Sequence, residues 1–220
     1  MLKALSKAIN DVTSPALRGV LWKSIGLSIA LFAALWVGIE FLVAFLVQFQ
    51  WHWLTTMAQI TTGLGLFAAF FFLMGPVTTL FAGLFQDAIS VKVEARHYPL
   101  DPQGRPLSFM VGLAAAVKFT ALALALNMVV LPLVLFAGFG AVLFLLANAY
   151  LISREYFEMA AGRYMPMQAA ADLRRQNFFK IYMAGLVPAA LALIPFINFI
   201  TPVFATSYFL HLFKAMRSSD

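Results

Sequence analysis

The stretch IYMAGLVPAALALIPFINFITPVFATSYFLHLFK, residues 181–214, carries no formal charge until Lys214. Two apolar arms, Ile181 to Ile194 and Val203 to Phe213, flank Pro195-Phe-Ile-Asn-Phe-Ile-Thr-Pro202. As helices the arms measure ~21 and ~16 Å at ~1.5 Å per residue, short of the ~30 Å hydrocarbon core of a bilayer. A single kinked span through both would put Lys214 and Arg217 on the side opposite every other basic cluster, against the positive-inside rule. The stretch therefore reads as a re-entrant hairpin over 181–214. It enters and leaves on one face, with its tip buried in protein, because lipid cannot satisfy the backbone groups freed at a turn.

Working outward, residues 153–180 form a charged amphipathic segment of helical character. Before it, Leu107 to Leu131 and Leu133 to Ile152 make a second hairpin, 107–152, around Pro132. Its arms are long enough to span, yet Val129-Val-Leu-Pro132-Leu-Val-Leu offers no polar residue to water. Gln86 to Pro106 is charged and ends in the turn-rich Tyr98-Pro-Leu-Asp-Pro-Gln-Gly-Arg-Pro106. The first two helices fall within 15–97. Ser24 to Val47 is one span, ending at an aromatic belt, Gln48 to Trp53. Thr55 to Phe85 is the other, ~46 Å at ~1.5 Å per residue, with a kink expected at Gly75-Pro76 and a charged helical extension after it.

Composition agrees with this reading. Of the 220 residues 63% are apolar and 11% charged, with 23 Phe, against ~45–50% apolar and ~25% charged in soluble domains. Mean hydropathy is +0.89. The expected fold is an all-α integral membrane protein, one membrane domain over 1–220, with long transmembrane helices plus two half-penetrating or re-entrant helical hairpins. Lys and Arg cluster at Lys3 to Lys23, Lys92 to Arg105, Arg154 to Lys180 and Lys214 to Arg217, which places all of these clusters and both termini in the cytoplasm. In such a chain the net charge of +6 records orientation, so no nucleic-acid partner is expected. Met1 to Asn10 lacks the apolar core of a signal peptide, and a retained N-terminus is expected.

Chemistry is sparse. With no Cys there is no disulfide and no thiolate. There is no phosphate loop, no H-E-x-x-H and no G-x-S-x-G; neither enzyme activity, cofactor nor metal is expected, and His52, His97 and His211 fall in three different segments. Ser14-Pro15-Ala16-Leu17-Arg18-Gly19 is more telling. Ser at the cap and Pro at the first helical position start a helix, whose free amides and positive dipole end attract an anion, with Arg18 adding a fork of donors. The competing reading seats Arg18 and Lys23 among lipid headgroups.

Charges within apolar runs are functional candidates by default. Glu40 and Lys118 are the two here, either meeting as an ion pair along an aqueous path or snorkelling to opposite boundaries. Asp87, Glu94 and Arg96, with Arg154, Glu155 and Glu158, form the densest mixed-sign groups. Opposing Arg and Glu in an interior can pass an anion while tuning how tightly it is held; the alternative is a solvated helix with weak surface pairs. Glu94 to Pro99 (EARHYP) also faintly echoes Glu158 to Pro166 (EMAAGRYMP).

Several of these pieces are shared with a known family. Pro15-x-Leu17-Arg18, Phe85-Gln-Asp87 to Glu94, Asn148-Ala-Tyr-Leu-Ile-Ser-Arg-Glu-Tyr-Phe-Glu158 and Ile194-Pro-Phe-Ile-Asn-Phe-Ile-Thr-Pro202 resemble the CysZ-type sulfate permeases of bacteria and the wider family with the etoposide-induced membrane proteins. The resemblance implies sulfate uptake across the bacterial inner membrane without ATP, feeding cysteine synthesis, by a homo-oligomer with half-penetrating hairpins. It implies a sulfate or related oxyanion site at Leu17 and Arg18 with the neighbouring amides, that of Gly19 among them; the mixed-sign residues Glu94, Arg96, Arg154, Glu155 and Glu158 are read from their charges as the ion pathway. Family members commonly carry a second basic residue where this chain has Gly19; either sulfate is held more weakly, or Lys23 substitutes. The alternative function is a non-transporting scaffold that binds membrane lipids.

Overall fold

The computed structural model describes residues 1–46, 85–106, 140–194 and 200–217 continuously, with isolated positions and short runs within 54–65 and 108–128, and Ile197. The elements are α1 (Leu2–Val12), α2 (Pro15–Leu46), the stretch 85–97 here called α3, α4 (Gly140–Gly162), α5 (Met167–Gln176), α6 (Phe178–Ala192) and α7 (Thr201–Arg217). Every regular element among the described residues is helical. Residues 54–65 and 110–128 are helical at each described position, where a span and the first arm of the 107–152 hairpin were expected. The Gln48 to Trp53 belt, the Gly75-Pro76 kink, the Pro132 turn and most of the 195–199 tip lie outside the described residues.

α1 buries Ala4, Ala8 and Asp11, one face at i, i+4, i+7, and lays that face on α7. It stops at Thr13, whose hydroxyl donates back to the carbonyls of Ile9 and Asn10. Pro15 then starts α2, since it lacks only an amide that the first helical turn leaves unpaired anyway.

α4 and α6 pack most extensively, and small side chains let them close. A methyl group added at Gly185 would stand 2.7 Å from Ser153 Cβ and closer still to the Ala149 carbonyl. Ala149, Ala184 and Ala189 are fully buried along the same contact, the small-residue packing by which helices approach when surrounding lipid supplies no hydrophobic drive. α4 runs unbroken from Gly140 to Gly162, so the boundary drawn at 152/153 falls mid-helix. The 153–180 segment is three helical pieces, broken at 163–166 and Asn177.

α7 departs furthest from expectation. Its residues from Thr201 through Lys214 are all buried, so the arm is enclosed by protein along its length and not only at its tip. A helix buried on all sides is stable only where every side finds a partner, its polar side chains included; α1, α4 and α6 pack around it. α2 is the opposite case, with Trp22, Ile29, Val37 and Phe41 between 55 and 74% exposed. Among the described residues no helix is long and apolar enough to cross a membrane. The α2 backbone covers 32 residues, but Leu31, Phe32, Leu35 and other apolar side chains along it lie outside the described residues.

Candidate functional site

The start of α2 is built by a short exchange of hydrogen bonds with α1. The Ser14 hydroxyl donates to the Asp11 carbonyl (2.6 Å), while the Ser14 carbonyl accepts from the amides of Leu17 (3.3 Å) and Arg18 (3.2 Å). Ser14 thus ties the two helices together. Leu17, 2% exposed, anchors the turn in the core, and that anchoring turns Arg18 and Gly19 outward. Nothing lies within 4 Å of where a Gly19 side chain would begin. Lys92 of α3 donates to the Ala16 carbonyl at 2.8 Å, bringing a second cation to the same turn. Among the described residues the Arg18 side chain has neither hydrogen bond nor ion pair, and Lys23 is exposed one turn on.

The five charges expected to line one pathway are divided among three clusters. In the first, Glu94 (3% exposed) accepts from Arg163 Nε at 3.2 Å, Arg163 Nη2 at 3.3 Å and the Tyr164 hydroxyl at 2.6 Å. Arg163 also pairs with Asp87 and donates to the Gly104 carbonyl. Its own carbonyl accepts from the Arg105 amide at 2.7 Å, which fastens the 98–106 loop to the end of α4. Burial and then the hydrogen bond to Glu94 push the Tyr164 phenol well above its ordinary value.

The second cluster centres on Asp11, 1% exposed. Oδ1 meets Arg96 at 3.2 Å and His97 Nε2 at 2.8 Å; Oδ2 accepts from Ser207 at 2.6 Å and meets His211 Nε2 at 2.9 Å. Burial alone would raise its pKa, but the bonds from His211, Ser207 and His97 outweigh burial and lower it to about 2. Tyr98 bonds His211 Nδ1 at 2.8 Å, and burial, then the Asp101 and Asp11 charges, push its phenol up to about 12. Lys214 closes the group by donating to Asp101 at 3.0 Å and lying over the Tyr164 ring at 4.4 Å.

The third cluster is a pocket of about 130 Å³ lined by Lys118, Arg154, Glu155 and Glu158 with Leu122, Leu151, Met159 and Met167. Glu158 holds Arg174 at 2.7 Å and Arg154 at 3.8 Å. Burial, then the Glu158 charge, raises Glu155 to about 7, against the pull of Arg154 and Lys118. Lys118 therefore sits with the Glu155 group and not with Glu40, whose carboxylate has no ion pair among the described residues and lies near Gly63.

Sequence reasoning missed Arg163 and Asp11 as network centres, and kept apart His97 and His211, which the fold joins. A signal was present for the first: Asp87 and Glu94, seven apart, share a helix face, and a carboxylate on that face, once buried as Glu94 is, requires a cation. The EARHYP and EMAAGRYMP segments do meet, through Arg163 and Tyr164 on Glu94.

Residues 4–202 match the family described as sulfate transporter CysZ/etoposide-induced protein 2.4. The chain belongs to that family. No curated protein matches it. The CysZ/etoposide-induced family is membrane-associated and of transporter type, which is the class that the apolar content and the start of α2 pointed to. The match takes in α1 to α6 and ends at Pro202, so Ser207, His211 and Lys214 of α7 lie beyond it.

Proposed function

We propose that the protein carries sulfate or a related oxyanion across the bacterial inner membrane without ATP, supplying cysteine synthesis, with Leu17, Arg18 and Gly19 as its first binding site. The carrying observation is Arg18: an exposed guanidinium without an ion pair among the described residues, at a helix start where Lys92 adds charge. A helix N-terminus with a planar donor fork suits a tetrahedral oxyanion. The apolar side chains that α2 turns outward suit lipid, and membership of the CysZ/etoposide-induced family supports the transporter class. In this reading both termini are cytoplasmic, the 107–152 and 181–214 hairpins enter the bilayer, copies of the chain assemble into an oligomer, and Arg154 and Lys118 with Glu155 and Glu158 form an inner stage of the route.

Reconstituted vesicles loaded with labelled sulfate test this. Wild type is expected to release sulfate and Arg18→Ala to slow release at least ~10-fold, the loss of one charge-assisted contact. Equal rates would remove Arg18 from the mechanism. Sulfate raising the unfolding temperature in detergent would accompany transport; a rise with anionic lipid and none with sulfate would favour the lipid-binding scaffold.

A further inference from the structure

Asp11, His97 and His211 come from α1, from the last residue of α3 and from α7, and one ligand atom of each lies within 4.8 Å of the others. The two rings meet edge to face with centroids 4.8 Å apart, and both direct Nε2 at the carboxylate, at 2.8 and 2.9 Å. We propose that these three residues bind a zinc-like divalent cation, which fastens α1 and α7 to the end of α3.

Two imidazoles and a carboxylate are the donor set of zinc-type ions, and three protein ligands leave a fourth position for water. Bonds of ~2.0–2.2 Å place tetrahedral donors about 3.4 Å apart, so the rings need move by less than about 1 Å each. The surroundings supply what ligand histidines require. With no ion bound, His211 is satisfied by donating from Nε2 to Asp11 and accepting at Nδ1 from Tyr98. With the ion on Nε2, the ring proton moves to Nδ1 and is donated to the Tyr98 oxygen, so the imidazole stays neutral and loses no proton overall. Ser207 holds Asp11 Oδ2 at 2.6 Å.

Access and competition are also defined. The His97 side chain is 18% exposed against 1% for Asp11 and none for His211, so the open position faces out past His97. Arg96 occupies Oδ1 at 3.2 Å, but its side chain is 42% exposed and can turn into water as the cation enters. Lys7 and Lys214 lie 4.9 and 5.3 Å from the Tyr98 ring centre; their charge weakens the site relative to four-ligand structural zinc.

The test uses untagged full-length protein in detergent, stripped with a chelator and titrated with Zn²⁺ while unfolding temperature is followed, then with Co²⁺ while visible absorption is read. The expected result is one ion per chain, a rise in unfolding temperature that a chelator reverses, and a cobalt spectrum of low coordination number. His97→Ala, at the most exposed ligand, should weaken binding at least ~10-fold, with helical circular dichroism and elution volume unchanged. Should that variant aggregate, His97→Gln, which keeps bulk and polarity, serves instead. Absence of saturable Zn²⁺ binding below about 100 µM in wild type, or equal affinity in a folded His97 variant, overturns the proposal.

Discussion

Arg18 and Arg163 are the same residue in opposite situations. Arg163 is 2% exposed and places its donors on Glu94, Asp87 and the Gly104 carbonyl. Arg18 is exposed and has no ion pair among the described residues. A buried guanidinium is tolerated only where the fold pairs its donors, so Arg163 has nothing left to offer a ligand. An exposed one held at a helix start costs little to leave unpaired and stays available. Pairing, more than residue type, separates the arginine that builds the fold from the one suited to bind an anion.

The sharpest way to break this comparison is Arg163→Ala. It leaves Glu94 and its Tyr164 partner without a counter-ion at 3% exposure, and removing one member of a buried pair costs about 3–5 kcal/mol. Denaturant or thermal unfolding should show that loss, together with readier proteolysis of the 98–106 loop, because the Gly104 carbonyl loses its side-chain donor and only the backbone bond from the Arg105 amide to the residue-163 carbonyl still holds the loop. Wild-type stability in this variant would show that the carboxylates find other partners and that Arg163 is not the centre of the cluster.

The third cluster allows a pH test of the same idea. Burial, then the Glu158 charge, moves Glu155 from 4.5 to about 7 in the folded protein. An acid whose folded value is raised contributes its full stability below its unfolded value and loses it as pH rises through the folded one. Stability should therefore fall between pH 4.5 and about 7 and level off above, by about 2–3 kcal/mol for this shift once partial exposure is allowed for. Glu155→Gln should flatten the slope over that window; an unchanged slope would mean that Glu155 ionises freely.

What the sequence made legible follows the range of the interactions. Helix placement rests on local signals, and Pro15 starting α2 or Pro202 beside the start of α7 could be read directly. Arg154 and Glu158 are four residues apart and were grouped from the sequence, whereas Arg174, sixteen residues from Glu158, was not. Arg163 bonds to Asp87 and Glu94, 76 and 69 residues away, and sits in a turn, Gly162-Arg-Tyr-Met-Pro166, that looks like any basic loop. Asp11 meets partners up to 200 residues distant. Such contacts depend on how α1, α3 and α7 pack, which no local pattern encodes. The enclosure of α7 was hidden for a related reason: an apolar run has the same sequence whether lipid or protein surrounds it.

A smaller effect is expected at Lys92. Its bond to the Ala16 carbonyl is a single exposed contact, so Lys92→Ala should cost about 1 kcal/mol of stability or less. It also removes a cation from the turn that presents Arg18, and sulfate release from vesicles should slow by less than in Arg18→Ala. A Lys92 variant as impaired as the Arg18 variant would move the centre of the site from α2 toward α3.

The smallest expected change in stability is at Arg18 itself, and it decides the comparison. Because the side chain has neither hydrogen bond nor ion pair among the described residues, Arg18→Ala should leave unfolding within about 0.5 kcal/mol of wild type, as substitutions at exposed positions without buried partners do. Leu17 keeps the turn anchored and the Ser14 carbonyl still accepts the residue-18 amide, so the helix start survives. Transport should nevertheless fall. A residue whose loss is silent in unfolding and visible in flux acts on what crosses the membrane; equal losses in both would place Arg18 beside Arg163 as part of the fold.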